Sequence, residues 1–590
     1  MMLVRNITMP RHPYMLRIAL TIAIVWIASQ IAAAQESLAN VQVAVGTRAA
    51  VATAHPLATE VALAMLAKGG NAVDAAVAAA FAIGVVEPDG SGLGGGGGML
   101  VFQASTKTGV YINYYGRAGQ RLEGFPYDAD QDRQSAKAAL VPGTVAGLLR
   151  ALEDHGSLPL ATLLEPAIRY AEEGFAIDAT LAKIILDNFG LLERDSVTAS
   201  VYLDEGFPRP EGDMLIQKDL ASTLRAIAEQ GRAGFYEGKV AESIVRDVNN
   251  HGGLFTLEDF RDYREIATKP VAGTYRGYDV LSAAIPQSGA SIIEALNILE
   301  NVPLADLGHP SKSVESLHLI AEALRRTYAD RSAFVADPLF EDVPLKGLTS
   351  KAYALERFLD INMQRATPPK YRDTKAGDPS RYEKESDSRN AADQDVRDFA
   401  LGEADRGGHT THLVVVDTSG TMVSLTQTLG TFFGSGLTTA GVLMNNARSN
   451  FNRTTRVNSP KANKQPRSSI APTILVKNGL PVLALGSPGS ARIVSTIVQL
   501  ITNIVDFGMD AAAANDAPRF FCQKFEDYLY IENRIGEDIR DGLRAKGHTL
   551  EVYGDYDLFF GGAQIILFDP SGRTYQASAD PRRGGASGAY

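Results

Sequence analysis

"GGHTTHLVVVD", residues 407–417, begins where a polar stretch ends and opens what reads as a buried β-strand. The preceding residues 366–408 are rich in charge and poor in apolar side chains, so they read as a mobile loop or linker that cannot pack a core of its own. "THLVVVD", the turn "TSGT" and "MVSLTQT" then read as a β-hairpin. Thr410 and Thr411 therefore stand at the border between two textures. A threonine hydroxyl is a poor nucleophile until a base takes its proton. One way to supply that base is to make Thr the first residue of a chain, so that its own α-amine, of pKa roughly 7.7–8.0, does the work. A cut immediately before Thr410 is what this requires, and a polar segment, two glycines and a strand start form a suitable layout. A plain linker joined to a strand with hydroxyls on one face fits the same letters.

Outward from the border, "LPVLALG" (480–486) reads as a further buried strand. "SPGSARIVSTIVQLITNIVDFG" follows with Ile493, Ile497, Leu500, Ile501 and Ile504 at helical spacing. That order places the N–H groups around Gly489 and Ser490 at a helix N-terminus, a cradle for an anion or oxyanion or else a simple Pro-Gly turn. Upstream, "HPLATEVALAMLAKGGNAVDAAVAAAFAIGVV" reads as two helices, the first ending at Gly69-Gly70 and the second capped by Asn71. The glycine run in "GSGLGGGGGML" (90–100) suggests a loop whose backbone approaches something closely, and it lacks the Lys-Ser/Thr of a phosphate loop. Residues 140–365 read as mainly helical scaffold, with a short β segment at 272–283.

A chain of 590 residues leaves the domain count open, while 45% hydrophobic and 21% charged residues mark a globular body. Arg5, Arg11 and Arg17 precede an apolar run (18–34) that ends in small residues, which reads as a signal peptide cut after Ala34. An uncleaved anchor is the rival, although the run falls short of the ~20 residues that span a bilayer. Either way the body is expected to be exported, periplasmic or secreted. Loss of those three arginines takes the net charge from −11 to −14, which disfavours nucleic acid as a partner. A single cysteine, Cys522, allows no internal disulfide, and the nine histidines form no H-E-x-x-H, so no metal site and no cofactor are expected.

"GGHTTHLVVVDTSGTMVSLTQTLGTFFGSG", "RSSIAPT", "LGSPGSARI" and "SADPRRGGASGAY" resemble the γ-glutamyltransferase (glutathione hydrolase) family of N-terminal nucleophile hydrolases. "LAKGGNAVDAAVA", "LGGGGGML", "LVPGTVAGLLRAL" and "HLIAEALRRTYADR" extend the likeness, in order, over nearly the whole body. The resemblance implies an α/β fold, a four-layer αββα sandwich made as a self-cutting precursor. The implied cut lies between His409 and Thr410 and yields a large subunit, 35–409, and a small catalytic subunit, 410–590, which stay together. It implies a small-molecule substrate, and with the signal removed no stable membrane insertion is expected. In the implied mechanism Thr410 attacks the His409 carbonyl, the resulting ester is hydrolysed, and Thr410 then serves as nucleophile with its freed amine as base. Thr428 matches the hydroxyl that orients that amine, Gly489 and Ser490 the oxyanion pair, and Ser468 and Ser469 the serines that hold the substrate α-carboxylate. Many members carry a second Gly where Ser490 stands.

Four further positions that grip a γ-glutamyl head depart from the family pattern. The expected large-subunit arginine meets "NYYGRAG", where Tyr115 aligns directly and Arg117 lies two residues on. Gly430 replaces an expected Asn, while Ala447 and Asn450 in "LMNNARSNF" replace a Gln and an Asp. Exchange of Asp for Asn matters most, because hydrogen bonds to charged groups contribute ~1.5–3 kcal/mol against ~0.5–1.5 for neutral ones. Arg448, Arg453, Arg456, Lys461, Lys464 and Arg467 nearby either attract an anionic substrate or are incidental to a solvated loop. Transfer or hydrolysis of γ-glutamyl groups is thus the first reading of function. A divergent acylase of the glutaryl-cephalosporin type, whose acyl group carries a carboxylate, is the second. An exported binding protein that has lost catalysis is a third, opposed by the intact Thr410, Thr428, Gly489 and serine pair.

Overall fold

A computed structural model describes residues 42–383, 408–452, 457–524 and 526–590. The expected signal peptide, residues 384–407, Arg453 and Arg456 lie outside the described residues. Two antiparallel seven-stranded sheets form the centre. The first runs, edge to edge, Val43–Gly46, Thr574–Ala579, Gln564–Asp569, Leu480–Gly486, Thr473–Lys477, Tyr278–Ser282 and Val271–Tyr275. The second runs Ala586–Ala589, Ala50–Thr53, Gly408–Val416, Met422–Thr431, Gly96–Gln103, Thr108–Asn113 and Ile266–Thr268. Each sheet mixes strands from both sides of residue 409, so the segments flanking the expected cut share one fold.

Strand alternation sorts side chains into three cores. Val414, Val416, Leu100, Phe102, Ile474, Val476, Ala484 and Ile566 fill the space between the sheets. Their alternates Leu413, Val415, Met99 and Val101 face outward with helices Pro56–Ala67 and Ala72–Val86. On the other outer side Leu475, Leu483, Leu485 and Ile565 pack with helices Gly289–Leu299, Val314–Phe334 and Arg492–Val505. Helix, sheet, sheet, helix is therefore the layer order, the expected αββα sandwich. Asn71 caps the second helix with a full capping box to Asp74, and all fifteen residues of that helix are buried. Among the described residues no helix is long and apolar enough to cross a membrane.

One difference from the sequence reading lies at 366–383, which packs rather than hanging free. Tyr371 is buried under the Arg325 guanidinium, 4.2 Å from its ring centroid, and its hydroxyl meets His548 Nδ1 at 2.5 Å. Tyr382 fastens the same segment further on, its ring centroid 5.7 Å from that of Tyr353 and its hydroxyl donating to Glu356 at 2.8 Å, so two aromatic residues tie down a polar string.

Candidate active site

The hairpin that carries Thr410 is irregular at the decisive place. His409 pairs with Gly430 and Thr411 with Gln427, so Thr410 faces two residues, Thr428 and Leu429. Such a bulge re-aims a side chain out of the regular ladder. It brings Thr410 Oγ1 within 3.0 Å of Thr428 Oγ1, to which it donates, and the Gly430 N–H donates to the same Thr428 oxygen at 2.8 Å. Both threonines are buried. The glycine run explains how the neighbouring strand fits: a β-carbon on Gly95 would lie 2.4 Å from the Thr428 carbonyl oxygen.

His412, two residues beyond Thr410, is not a base for it. Burial pushes its imidazole down to about 3, and its Nδ1 meets the Thr426 hydroxyl at 2.8 Å between the sheets. A β-carbon on Gly486 would sit 2.2 Å from the His412 ring, so the end of strand 480–486 is pressed against strand Gly408–Val416. Three residues on, Gly489 (φ +122°) and Ser490 (φ +52°) form the turn into helix Arg492–Val505. Ser490 is in the left-handed region that non-glycine residues seldom occupy.

Ser468 and Ser469 are held by residues that precede the strand of Thr410. Arg331 Nη2 donates to Ser469 Oγ at 3.1 Å, its Nε to Ser288 Oγ at 2.8 Å, and Ser288 Oγ donates to the Ser468 carbonyl at 2.8 Å. Tyr115, buried, stands where the family pattern has arginine, and Asn450 Nδ2 donates to its hydroxyl at 2.8 Å. Where the family pattern leads one to expect an arginine and an aspartate, two neutral side chains joined by one hydrogen bond thus stand. Arg117 is directed elsewhere, to the carbonyls of Asn463 (3.0 Å) and Arg264 (3.3 Å) at the surface. Gly430 (φ +106°) has no room for a side chain, since a β-carbon would fall 2.0 Å from Asn446 Oδ1. Asn446 in turn joins Thr431 through N–H···Oδ1 (3.0 Å) and Nδ2–H···Oγ1 (2.7 Å). Ala447 begins the short turn 447–450 that carries Asn450.

Most of the described basic residues around 448–467 are structural rather than a solvated lure. Arg448 lies over Tyr127, 4.4 Å from its ring centroid, and donates to the Phe125 carbonyl. Lys464 is buried against Glu341 at 2.8 Å, and Lys461 reaches the same carboxylate. Arg467, also buried, donates to the Arg331 and Ser332 carbonyls.

Sequence reasoning missed Arg331, Asn446 and a third group below Thr410. Arg583 Nη1 donates to the Thr410 carbonyl at 2.7 Å while Nη2 pairs with Glu87 at 3.2 Å. Asp89, two residues beyond Glu87, is pushed up to about 8 by burial and the Glu87 charge, against the pull of Arg583. The doublet in "DPRRGG" was the available signal, but nothing in its spacing says which arginine reaches Thr410. Arg582 goes instead to Glu532 and Asp580.

His318, Glu322 and His548 are the one group of three metal-type ligands that the described residues bring together. Glu322 is already taken by Arg325 (2.8 Å) and Arg326 (2.6 Å), whose charges oppose a cation. His318 Nε2 donates to the Asn362 carbonyl at 2.9 Å, which leaves its Nδ1 to accept from His548 Nε2 at 2.7 Å. That donor set fits a hydrogen-bonded tie between the segments flanking residue 409, not an ion.

A sandwich of two antiparallel sheets between helices, with a threonine aimed by a bulge at the head of a central strand, defines the class of N-terminal nucleophile hydrolases. The family profile described as Gamma-glutamyltranspeptidase matches residues 58–590. With the glutathione hydrolase proenzyme of Bacillus subtilis (strain 168) the chain shares 37% identity over 560 residues, 92% of each chain. Similarity extends to the acylase ACY 1 proenzyme of Pseudomonas sp. (strain SE83), at 35% identity over 89% of this chain and 91% of that one. The crystal structure of cephalosporin acylase from Bacillus halodurans superposes with a TM-score of 0.81 at 30% identity, covering 93% of this chain and 97% of that one. The chain belongs to the gamma-glutamyltranspeptidase family.

Proposed function

We propose that this protein is an exported, self-processing amidohydrolase that takes γ-glutamyl groups from glutathione and related amides through an ester on Thr410. The hydrogen bond from Thr410 Oγ1 to Thr428 Oγ1 at the bulge carries the reading, because it singles out one hydroxyl at the border between the two segments. In the first stage that hydroxyl attacks the His409 carbonyl. The peptide C–N bond breaks, the acyl group passes to oxygen and water releases it, leaving segments 35–409 and 410–590. In each later turnover the freed amine takes the Thr410 proton. N–H groups of Gly489 and Ser490 receive the oxyanion, Ser468 and Ser469 hold the substrate carboxylate, and the acyl group leaves to water or an amine.

A second reading has a specific observation behind it. The neutral Tyr115–Asn450 pair offers no carboxylate to an α-ammonium, which favours a glutaryl-like acyl group, and two of the relatives are named as acylases. Purified wild type should run as two bands and Thr410→Ala as one; an uncut wild type would sink the catalytic reading. Turnover of γ-glutamyl-p-nitroanilide against glutaryl-p-nitroanilide separates the substrates, and a chain inert to the first but active on the second is an acylase.

A further inference from the structure

Cutting before Thr410 would create a mechanical problem that the fold already answers. Once the His409–Thr410 bond is gone, the nucleophile sits on a chain end, and chain ends fray unless they are tied down. Beyond the Thr428 hydroxyl that meets its side chain, restraint on the Thr410 backbone must then come from its carbonyl side. The group on that side is Arg583, whose Nη1 donates to the Thr410 carbonyl at 2.7 Å from a buried position. Arg583 is itself fixed from two directions. Its Nη2 pairs with Glu87, which caps helix Ala72–Val86, at 3.2 Å. Its stem crosses Gly562 so closely that a β-carbon there would lie 2.7 Å from Arg583 Cδ. Gly562 adjoins Gly561, whose Cα is 3.3 Å from where a β-carbon of Gly489 would stand. One guanidinium thus links the nucleophile strand, a buried acid of the large segment and the glycine pair that backs the candidate oxyanion turn.

We propose that Arg583 is a positioning residue that clamps the new chain end after self-cutting and keeps the Thr410 amine in its base form. This rests on the Thr410 reading above. Covalent geometry holds the amine of Thr410 close to its carbonyl, so a cation bonded to that carbonyl disfavours a second positive charge on the amine. The charged and titratable groups facing the pair are Glu87 and Asp89 from the loop after the second helix, and beyond them Asp178, which lies 3.9 Å from His55. Burial pushes Glu87 up, against the pull of Arg583, and burial pushes His55 down to about 4. Glu87 and Asp89 therefore offset Arg583 only in part.

The test uses the full chain carrying Arg583→Met, which keeps an unbranched apolar stem but removes charge and donors, and Arg583→Lys, which keeps the charge. Turnover needs the free amine, so the rate rises with pH through the amine pKa. Removing a neighbouring cation raises that pKa and moves the acid limb of kcat/KM to higher pH. For Arg583→Met the expected result is kcat lowered about tenfold or more at little-changed KM, with the acid limb up by about one pH unit. Arg583→Lys should leave the limb where wild type has it and restore part of kcat. Wild-type kcat and an unmoved limb in Arg583→Met overturn the proposal, as does Arg583→Lys behaving like Arg583→Met. If Arg583→Met does not fold, Gly562→Ala carries the test by pushing the Arg583 stem aside: kcat should fall at constant KM, and wild-type kcat overturns the idea. A Thr410→Ala chain that still appears as two bands removes the underlying reading instead.

Discussion

The strand border at Thr410 and the short turn at Asn450 lie forty residues apart and relate to the family pattern in opposite ways. At the border every expected hydroxyl is present and the backbone is bent to bring two of them together. At the turn the charged pair that would read an amino acid head has become Tyr115 and Asn450, bonded to each other. At Gly430 the expected Asn side chain is also gone, and a β-carbon there would meet Asn446 Oδ1. On the proposed reading, reaction type and substrate choice are therefore separable in this chain. A sheet with a bulge suffices to aim a nucleophile, while recognition depends on single side chains around it.

The largest effect should come from the border. Thr410→Ala removes nucleophile and self-cutting together, and turnover should fall by about 10⁴-fold or more. A variant of that kind retaining a tenth of wild-type activity would move the chemistry elsewhere. Thr428→Val keeps shape and removes the hydroxyl that meets Thr410. Loss of a neutral hydrogen bond worth ~0.5–1.5 kcal/mol should lower kcat about 2–13-fold with KM little changed. Equal losses with both acyl donors are expected, because this side of the site does not read the acyl group.

How much of this was legible in the letters follows the same division. Alternation in "THLVVVD" and "LPVLALG" and helical spacing after Ser490 led to the sheets and the helix, because burial on fixed faces writes a period into the sequence. The close approach expected of the glycine run was found, against the strand of Thr428. The bulge left no trace, since it depends on the register between two strands and not on either strand alone. Arg331 and Arg583 were missed for a related reason: each acts across more than a hundred residues of chain, and an arginine letter does not say what its guanidinium reaches. Lys464 and Arg467 were read too simply as loop charge, because partners as distant as Glu341 and the Arg331 carbonyl cannot be inferred from local composition.

On the recognition side Asn450→Asp is the informative exchange. It places a carboxylate beside the Tyr115 hydroxyl, where an α-ammonium could pair with it. The ratio of kcat/KM for γ-glutamyl-p-nitroanilide over glutaryl-p-nitroanilide should rise about tenfold, the equivalent of ~1.4 kcal/mol gained on replacing a neutral hydrogen bond by a charged one. An unchanged ratio would mean that Asn450 does not face the acyl head, and the contrast between the two regions would have to be drawn elsewhere.

The smallest predicted effect tests whether the chemical side is as indifferent to side chains as the contrast requires. Ser490 has a φ of +52°, a conformation that costs an L-residue ~1–2 kcal/mol and costs glycine nothing. Glycine also adds freedom to the unfolded chain, which offsets ~0.4–1 kcal/mol. Ser490→Gly should therefore be more stable by about 0.5–1 kcal/mol, read as a small rise in the denaturant midpoint at unchanged slope. If the oxyanion is received by backbone N–H alone, kcat should stay within about twofold of wild type, because both donors remain. A gain in stability with a tenfold loss of kcat would show instead that the strain holds the Ser490 hydroxyl against the substrate, and that a recognition residue sits inside the catalytic turn.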